Sequence, residues 1–204
     1  CLPASTLWAS SALAEASRKG TITFDKVKPG ANISLKNQFG NIVLQPWDKK
    51  DLRLEFELKV MAKNKAQAEE VLNDMGIVKR AVSGAYSLEL RGADGGSNEE
   101  RKIESTWTVY IPKAKFALII ANRFGNVNIP DYACKALSAH VKFGALECGN
   151  LQTDEQKCEL KAEHGSLKLT NCKTANVQAL FSTVDITRCT NLVLNVQHAE
   201  QVSI

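Results

Sequence analysis

Two stretches of the chain, NQFGNIVLQPW (residues 37–47) and NRFGNVNIPDY (residues 122–132), follow one pattern. Each reads Asn, a polar residue, Phe, Gly and Asn, then alternating aliphatic residues, and ends in an aromatic residue. A pattern that occurs twice in one chain indicates an internal repeat. Further copies follow downstream: VKFGALECGNL (141–151), AEHGSLKLTNC (162–172), ALFSTVDITRC (179–189) and the start of another in VQHAEQVSI (196–204).

The central Gly, or the residue in its place, marks each copy of the repeat. From Gly125 onward this position recurs after 19, 21, 17 and 17 residues. Apolar residues stand three, five and seven places before it and two and four places after it, with mostly polar residues between. This period-two alternation predicts strands with one buried face. The marker positions are Gly40, Gly125, Gly144, Gly165, Ser182 and Ala199.

The sequence therefore predicts a mainly β fold, a parallel β-solenoid-like stack of 17–21-residue coils. Equivalent residues would stack about 4.8 Å apart, and the small residue at the bend would let the chain turn without a Cβ clash. The Phe or His directly before the bend is predicted to form the bulkiest ladder of the core. On this interpretation, Phe143→Ala or Phe181→Ala would each cost about 3–5 kcal/mol.

One helix-plus-hairpin insertion, at about residues 62–103, separates the first two copies. KNKAQAEEVLNDMG (63–76) predicts a helix that ends at Gly76, and IVKRAVSGAYSLELRG (77–92) predicts a hairpin that turns at Ser83 and Gly84. ADGGSNEERK (93–102) predicts a flexible loop. We expect residues 20–204 to form a single β domain, with regular coils over about residues 115–204.

The N-terminal stretch, residues 1–19, has two interpretations. CLPASTLWASSALAEA is rich in small residues and has A-x-A sites, as the remnant of an export signal would, and Cys1 is a candidate for a lipid anchor. Alternatively, residues 10–19 form a short surface helix that ends at Gly20. No apolar run reaches 18 residues, so the sequence predicts no membrane span. Export would place the protein outside the cytoplasm.

Three features together resemble a bacterial family of envelope proteins called putative adhesins. They are GNIVLQPWDKKDLRLEFELKV (40–60), the Ala- and Glu-rich helix, and WTVYIPKAKFALIIANRFGNVNI (107–129) followed by x-G-x-[IVL]-x-[IVL] coils. The resemblance covers residues 20–204. The family more often has Gly-Asp at the bend, whereas this chain has Gly-Asn and then Gly-Ala, Gly-Ser and Ser-Thr. The resemblance implies a β-solenoid-like fold, an extracytoplasmic location and no established activity.

The cysteines have no zinc-site spacing, because the chain contains no C-x-x-C and no matching Cys–His pairs. Cys148 and Cys158 fall in predicted inward columns and are expected to pack as small apolar side chains. Cys172 and Cys189 share a column one coil apart, where packing is favoured over a disulfide. Cys134 is predicted to be the most exposed thiol of the fold. We expect no metal and no cofactor.

Histidines and carboxylates offer two candidate sites. His164 and His198 share a column but lie two coils, about 9.6 Å, apart, which is too far for one metal ion. Glu147 and Asp185 are the candidate catalytic pair, because they share an outward column two coils apart and glycosidases use two carboxylates at a set separation. Lys168 lies between them in that column, which favours a solvated ladder of ion pairs over an acid/base pair.

Composition excludes one class of partner and leaves three functions open. The net charge is +4 from 26 basic and 22 acidic residues, and they are interspersed, so no nucleic-acid-binding stripe is evident. We expect a non-enzymatic envelope or secreted protein, an adhesin or binding scaffold for an unknown envelope, matrix or protein ligand. The alternatives are a carbohydrate-active enzyme on an outward face and an envelope-stress regulatory module. The loop at residues 91–102 is the predicted contact surface.

Overall fold

The computed structural model describes residues 13–92, 101–154, 158–199 and 201–204, which form sixteen β-strands and one α-helix. The strands are β1 (Ala14–Phe24), β2 (Asn32–Trp47), β3 (Leu52–Ala62), β4 (Gly76–Val82), β5 (Ala85–Arg91), β6 (Arg101–Pro112), β7 (Ala117–Phe124), β8 (Val127–Ile129), β9 (Tyr132–Cys134), β10 (Ala136–Lys142), β11 (Ala145–Thr153), β12 (Cys158–Glu163), β13 (Ser166–Leu180), β14 (Thr183–Ile186), β15 (Cys189–Gln197) and β16 (Val202–Ser203). The helix is α1 (Lys65–Asp74).

The central sheet closes on itself into a seven-stranded parallel β-barrel, so the predicted solenoid is wrong. The strands pair in the order β2, β7, β10, β12, β13, β11 and β8, and β8 pairs again with β2. Closure depends on β2 and β13, which have 16 and 15 residues and are long enough for each to pair with two other strands of the barrel in succession. The first part of β2 pairs with β7 and the part after the bend pairs with β8. Likewise, β13 pairs first with β11 and then with β12.

Inside the barrel, the strand register joins positions that the repeat made equivalent. Leu146 pairs with Val127 on one side and with Leu167 on the other, and Leu167 pairs with Val184. All four side chains are at most 2% exposed. The alternation of apolar and polar residues therefore identified the buried faces of these strands correctly.

The marker glycines are needed because successive bends approach each other closely. A Cβ on Gly144 would lie 2.1 Å from the carbonyl oxygen of Gly125, and one on Gly165 would lie 1.9 Å from that of Gly144. At the end of this column Ser182 is accommodated by hydrogen bonds. Its hydroxyl donates to the Leu180 carbonyl at 2.9 Å and accepts from the Gly165 backbone amide at 3.2 Å.

The helix and the hairpin predicted for the insertion are both confirmed. The Asn64 side chain caps α1 by accepting from the Gln67 amide at 3.0 Å, and the helix buries Ala68 and Leu72. β4 and β5 form the predicted hairpin, and Ser83 and Gly84 adopt the positive φ angles, 47° and 81°, of a type I′ turn. The insertion also joins the sheet, since β5 pairs with β2. Residues 93–100 of the predicted loop lie outside the described residues.

The described part of the N-terminal stretch is a strand rather than the helix expected over residues 10–19. β1 begins at Ala14 and pairs antiparallel with β3, which pairs antiparallel with β6. Small alternating side chains suit this pairing, and Ala16 is buried opposite Val60. Residues 1–12, including Cys1, lie outside the described residues. In the part of the chain that the structure describes, no helix has the length and hydropathy of a membrane span.

Candidate binding surface

Six aromatic rings stack in a single row at the bends of the barrel. Successive ring centroids lie 5.7, 5.2, 5.0, 5.0 and 4.8 Å apart, and the ring planes are within 16° of parallel. The first ring, Phe39, is buried, whereas the other five are exposed to solvent. We call these five the ring ladder: Phe124, Phe143, His164, Phe181 and His198.

The ring ladder points outward, so the prediction that Phe143 and Phe181 are core residues is wrong. Their side chains are 41% and 48% exposed. The cause is the backbone, because Phe143, His164, Phe181 and His198 all have φ between 49° and 58°. A left-handed residue interrupts the alternation of the strand and turns its side chain to the outer face. In the first two copies, the glycine takes the positive φ instead.

Holding these side chains in the left-handed region is energetically unfavourable. Any residue with a Cβ costs about 1–2 kcal/mol there, and glycine avoids this cost. Each stacked aromatic pair stabilises the folded state by about 0.5–1.5 kcal/mol. Summed over the row, the gain from stacking and the cost of the left-handed backbone are therefore of similar size.

Charged groups flank one side of the ring ladder. The Arg123 guanidinium lies 5.1 Å from the Phe124 ring centroid, and the Lys142 ammonium lies 5.3 Å from that of Phe143. Beside them, Glu163 forms ion pairs with Lys161 at 2.6 Å and with Lys142 at 3.4 Å. The hydrogen bond from Lys161, with the nearby positive charges, lowers the pKa of Glu163 to about 2. The flank is thus a fixed network of charges beside an apolar row.

The candidate catalytic carboxylates lie on a different outward face. Glu147 pairs with Lys168 in register, and Lys168 pairs with Asp185, so the ammonium-bearing residue stands between the two acids. All three are exposed, and the Asn128 side-chain amide donates to Glu147 at 3.3 Å. This arrangement matches a solvated column of mixed charge. It does not bring the two carboxylates to one point.

The described cysteines are all free thiols. Cys148 and Cys158 are 3% and 1% exposed, which confirms their inward positions. Cys134 is 0% exposed, so the prediction that it is an exposed thiol is wrong, and burial raises its pKa to about 12. Cys172 and Cys189 pair in register, but each thiol donates within its own strand, to Thr174 and Asn191 carbonyls at 3.2 and 3.4 Å.

The histidines of the ring ladder are stacking partners, since Phe181 lies between His164 and His198. Among the residues that the structure describes, no three His, Cys, Asp or Glu side chains are grouped to hold a metal ion. The outward ladder was missed from the sequence. The sequence signal that could have revealed it is the position of the Phe or His directly before each bend. A change in backbone conformation there turns a side chain from the inner to the outer face.

The solved structures to which this chain is similar include three bacterial proteins. A putative adhesin from Parabacteroides distasonis is 10% identical, with a TM-score of 0.47 over 92% of this chain and 80% of that one. A putative adhesin from Bacteroides fragilis is 14% identical, with a TM-score of 0.38 over 92% and 97%. A putative cell adhesion protein from Clostridium sporogenes is 8% identical, with a TM-score of 0.35 over 92% and 100%. No family model and no curated protein matches the chain.

Proposed function

We propose that the chain is a non-enzymatic, extracytoplasmic binding scaffold, adhesin-like in role, which contacts an extended ligand through the ring ladder. The observation that carries this proposal is the unbroken row of five exposed rings, four of them on left-handed backbone. Strained backbone at successive positions supports a functional role, because glycine there would be less costly. The small-residue N-terminal stretch supports export.

The shape of the ring ladder favours an extended ligand. Neighbouring rings are 4.8–5.2 Å apart, which is the spacing of parallel strands, so a ligand that contacts all of them must run across the strands. The ring faces are stacked on each other, and their edges, which carry partial positive charge, face solvent. With Arg123 and Lys142 beside them, these edges suit a polymer with apolar and electron-rich groups.

Preorganisation supports binding by this surface. The rings hold each other in nearly parallel planes. Four of them lie at the ends of the barrel strands β7, β10, β12 and β13, and His198 follows β15, which pairs with β13. A ligand therefore orders few side chains when it binds, which lowers the entropic cost of association. The carbohydrate-active enzyme has less support, because Lys168 separates Glu147 from Asp185 in their column.

The test compares two double variants that change the same amount of exposed apolar surface. Phe143→Ser with Phe181→Ser disrupts the ring ladder. Ile119→Ser with Val193→Ser is the matched control, because these two side chains are 48% and 65% exposed and lie away from the rings. Circular dichroism and thermal melting establish that both variants are folded. Retention of each protein on isolated envelope and on extracellular matrix material is then measured.

We expect the parent and the control to be retained and the ladder variant to lose at least about tenfold in affinity, as removal of interface aromatics commonly does. Equal retention of all three proteins would place the contact surface elsewhere. If the parent instead depolymerises a polysaccharide, and Glu147→Gln or Asp185→Asn abolishes that activity, the enzyme interpretation would replace the scaffold interpretation.

A further inference from the structure

A second surface forms where loops from distant parts of the chain meet. The Val27 amide donates to the Lys50 carbonyl at 2.9 Å, and the Gly30 amide donates to the Lys115 carbonyl at 2.8 Å. This corner and the ring ladder lie at opposite ends of β7, which runs from Ala117 to Phe124. We call its exposed lysines the lysine corner: Lys26, Lys28, Lys49, Lys50, Lys113, Lys115 and Lys135.

The lysine corner concentrates the positive charge of the protein. Its seven lysines are accompanied by four aspartates, Asp25, Asp48, Asp51 and Asp154, whereas the whole chain has a net charge of only +4. Lys113 is paired with Asp48 at 2.9 Å, and Lys115 is paired with Asp154. Within the described ranges, neither Lys49 nor Lys50 has a carboxylate at ion-pair distance. The corner therefore has ammonium groups available for an external anion.

Three of these lysines, Lys49, Lys50 and Lys113, line a concave site. A cleft of about 410 Å³ has lysines on its rim, and the Lys49 ammonium lies 4.9 Å from the Trp47 ring centroid. A neighbouring cleft of about 330 Å³ shares Lys113 and continues past Pro46 to Tyr132. The first cleft is lined by Val27, Pro29, Trp47, Asp48, Lys49, Lys50, Pro112, Lys113 and Ala114.

The apolar wall of the cleft is held in place. The Trp47 indole N–H donates to the Asp51 carbonyl at 2.9 Å, and the Arg53 guanidinium lies 4.6 Å from the Trp47 ring centroid. The Tyr110 ring packs against Trp47 with a centroid distance of 5.0 Å. Proline and aromatic surface of this kind packs against the C–H face of a sugar ring, while a lysine ammonium pairs with an anionic substituent.

We infer that the lysine corner binds an acidic saccharide, with one anionic sugar unit in the Trp47 cleft and its charged group between Lys49 and Lys50. The volume of the cleft lies within the range of small-ligand sites, and the neighbouring cleft gives room for a second unit. This inference goes beyond the proposed function, because the ring ladder contributes no residue to the site.

The shape of the corner favours a saccharide over an anionic membrane surface. Proteins that lie on membranes present apolar side chains that enter the interface. None of the exposed large apolar side chains of the described residues lies in the lysine corner, and Trp47 is fixed within a concave wall. In the described ranges those exposed side chains are Leu13, Val82, Ile119, Phe124, Phe143, Phe181, Val193, Val202 and Ile204.

The test uses a polygalacturonate oligosaccharide as the probe and its methyl ester, which has the same sugar without the charge, as the control. Binding is measured by calorimetry and by intrinsic tryptophan fluorescence, to which Trp47 contributes together with Trp8 and Trp107. We expect the acid to bind, the ester to bind at least about tenfold more weakly, and the affinity for the acid to fall as salt rises. Equal binding of acid and ester, or no binding of either, would overturn the inference. So would binding to phosphatidylglycerol vesicles without binding to the oligosaccharide.

Variants distinguish a site from a general charge effect. Lys49→Gln with Lys50→Gln should weaken binding of the acid about tenfold, as loss of charged hydrogen bonds predicts. Lys63→Gln with Lys173→Gln removes the same charge from exposed positions elsewhere and should leave binding unchanged. Asp48→Asn should tighten binding a few fold, because it releases Lys113 from its ion pair. An equal effect of the two lysine pairs, or weaker binding by Asp48→Asn, would contradict the assignment.

Discussion

The barrel interior and the ring ladder are built from the same repeat but differ in what they bury. Leu146 and Leu167 pair across neighbouring strands and are at most 1% exposed, whereas Phe143 and Phe181 recur with the same repeat and are 41% and 48% exposed. The larger side chains are thus the ones left in solvent. A repeating column in a sequence therefore indicates stacking, and the backbone conformation at that column decides whether the stack is buried.

The two regions are also stabilised differently. Interior leucines gain free energy by leaving water, about 25 cal/mol per Å² of apolar surface. The ladder rings gain mainly from contact with one another, and part of that gain offsets their left-handed backbone. Substitutions in the two regions should therefore differ in size and, for one kind of change, in sign.

The largest expected effect belongs to the interior. Leu160→Ala should lower the free energy of unfolding by about 2–5 kcal/mol, because Leu160 is 1% exposed and its loss leaves a cavity. Phe181→Ala should cost less than about 2 kcal/mol, since it removes two ring contacts, with His164 and His198, from an exposed surface. Urea unfolding of both variants measures the difference. Equal losses of unfolding free energy in the two variants would indicate that Phe181 is a core residue.

Glycine at the same two positions sharpens the comparison. Leu160→Gly should be less stable than Leu160→Ala by about 0.5–1 kcal/mol, the usual effect of glycine in a strand. Phe181→Gly should be at least as stable as Phe181→Ala, because φ at this position is 49° and glycine adopts it freely. A Phe181→Gly variant less stable than the alanine variant would show that backbone strain does not distinguish the ladder from the interior.

The second-largest expected effect, after that of Leu160→Ala, concerns the glycine column that lies between the two regions. Gly165→Ala should cost about 3 kcal/mol, near the upper end for single substitutions, because its Cβ would meet the Gly144 carbonyl oxygen at 1.9 Å. Gly30→Ala is the matched control. Gly30 has φ of 78° but no atom within 4 Å of an added Cβ, so it should cost about 1 kcal/mol from conformation alone. Thermal unfolding that ranks Gly30→Ala as the more damaging change would contradict close packing of the bends.

Alternation alone was enough to predict the interior, since Val127, Leu146 and Leu167 carry the period-two pattern and are buried. Closure of the barrel was not predictable in the same way. The glycine in each copy of the repeat predicted a bend between two separate strands. Instead, β2 continues through Gly40 and pairs with other strands on both sides of it. Whether a strand continues through a bend depends on hydrogen bonds to neighbours distant in sequence.

Neither of the two candidate binding surfaces was predicted from the sequence, and the reasons differ. At Phe143 the side-chain pattern predicted an inward ring, and the φ of 58° that turns it outward has no signature in the residue type. The lysine corner depends on proximity, because Lys28, Lys49 and Lys113 lie in separate stretches of the chain and come together only when their loops meet. Interspersed charge in the sequence therefore became a local positive surface in the fold.

The smallest expected effect is electrostatic and concerns the flank of the ring ladder. Glu163 has a pKa of about 2 in the folded protein against an ordinary value of 4.5, because Lys161 donates to it and positive charges surround it. A pKa lowered by folding stabilises the folded state above the unfolded value, and this stability is lost as the pH falls through the folded value. The contribution of Glu163 should therefore be full above about pH 4.5 and disappear towards pH 2.

Glu163→Gln should flatten the fall in unfolding free energy between pH 4.5 and pH 2, because the glutamine has no proton to bind in that window. Glu159→Gln, on the same strand but outside these ion pairs, is the control and should follow the parent curve. Among the described residues, the interior supplies no such titration, since its buried side chains include no Asp or Glu. Guanidinium unfolding followed by circular dichroism across this range gives both slopes. Parallel curves for the parent and Glu163→Gln would show that the charges beside the ladder are solvated individually and do not form a stabilising network.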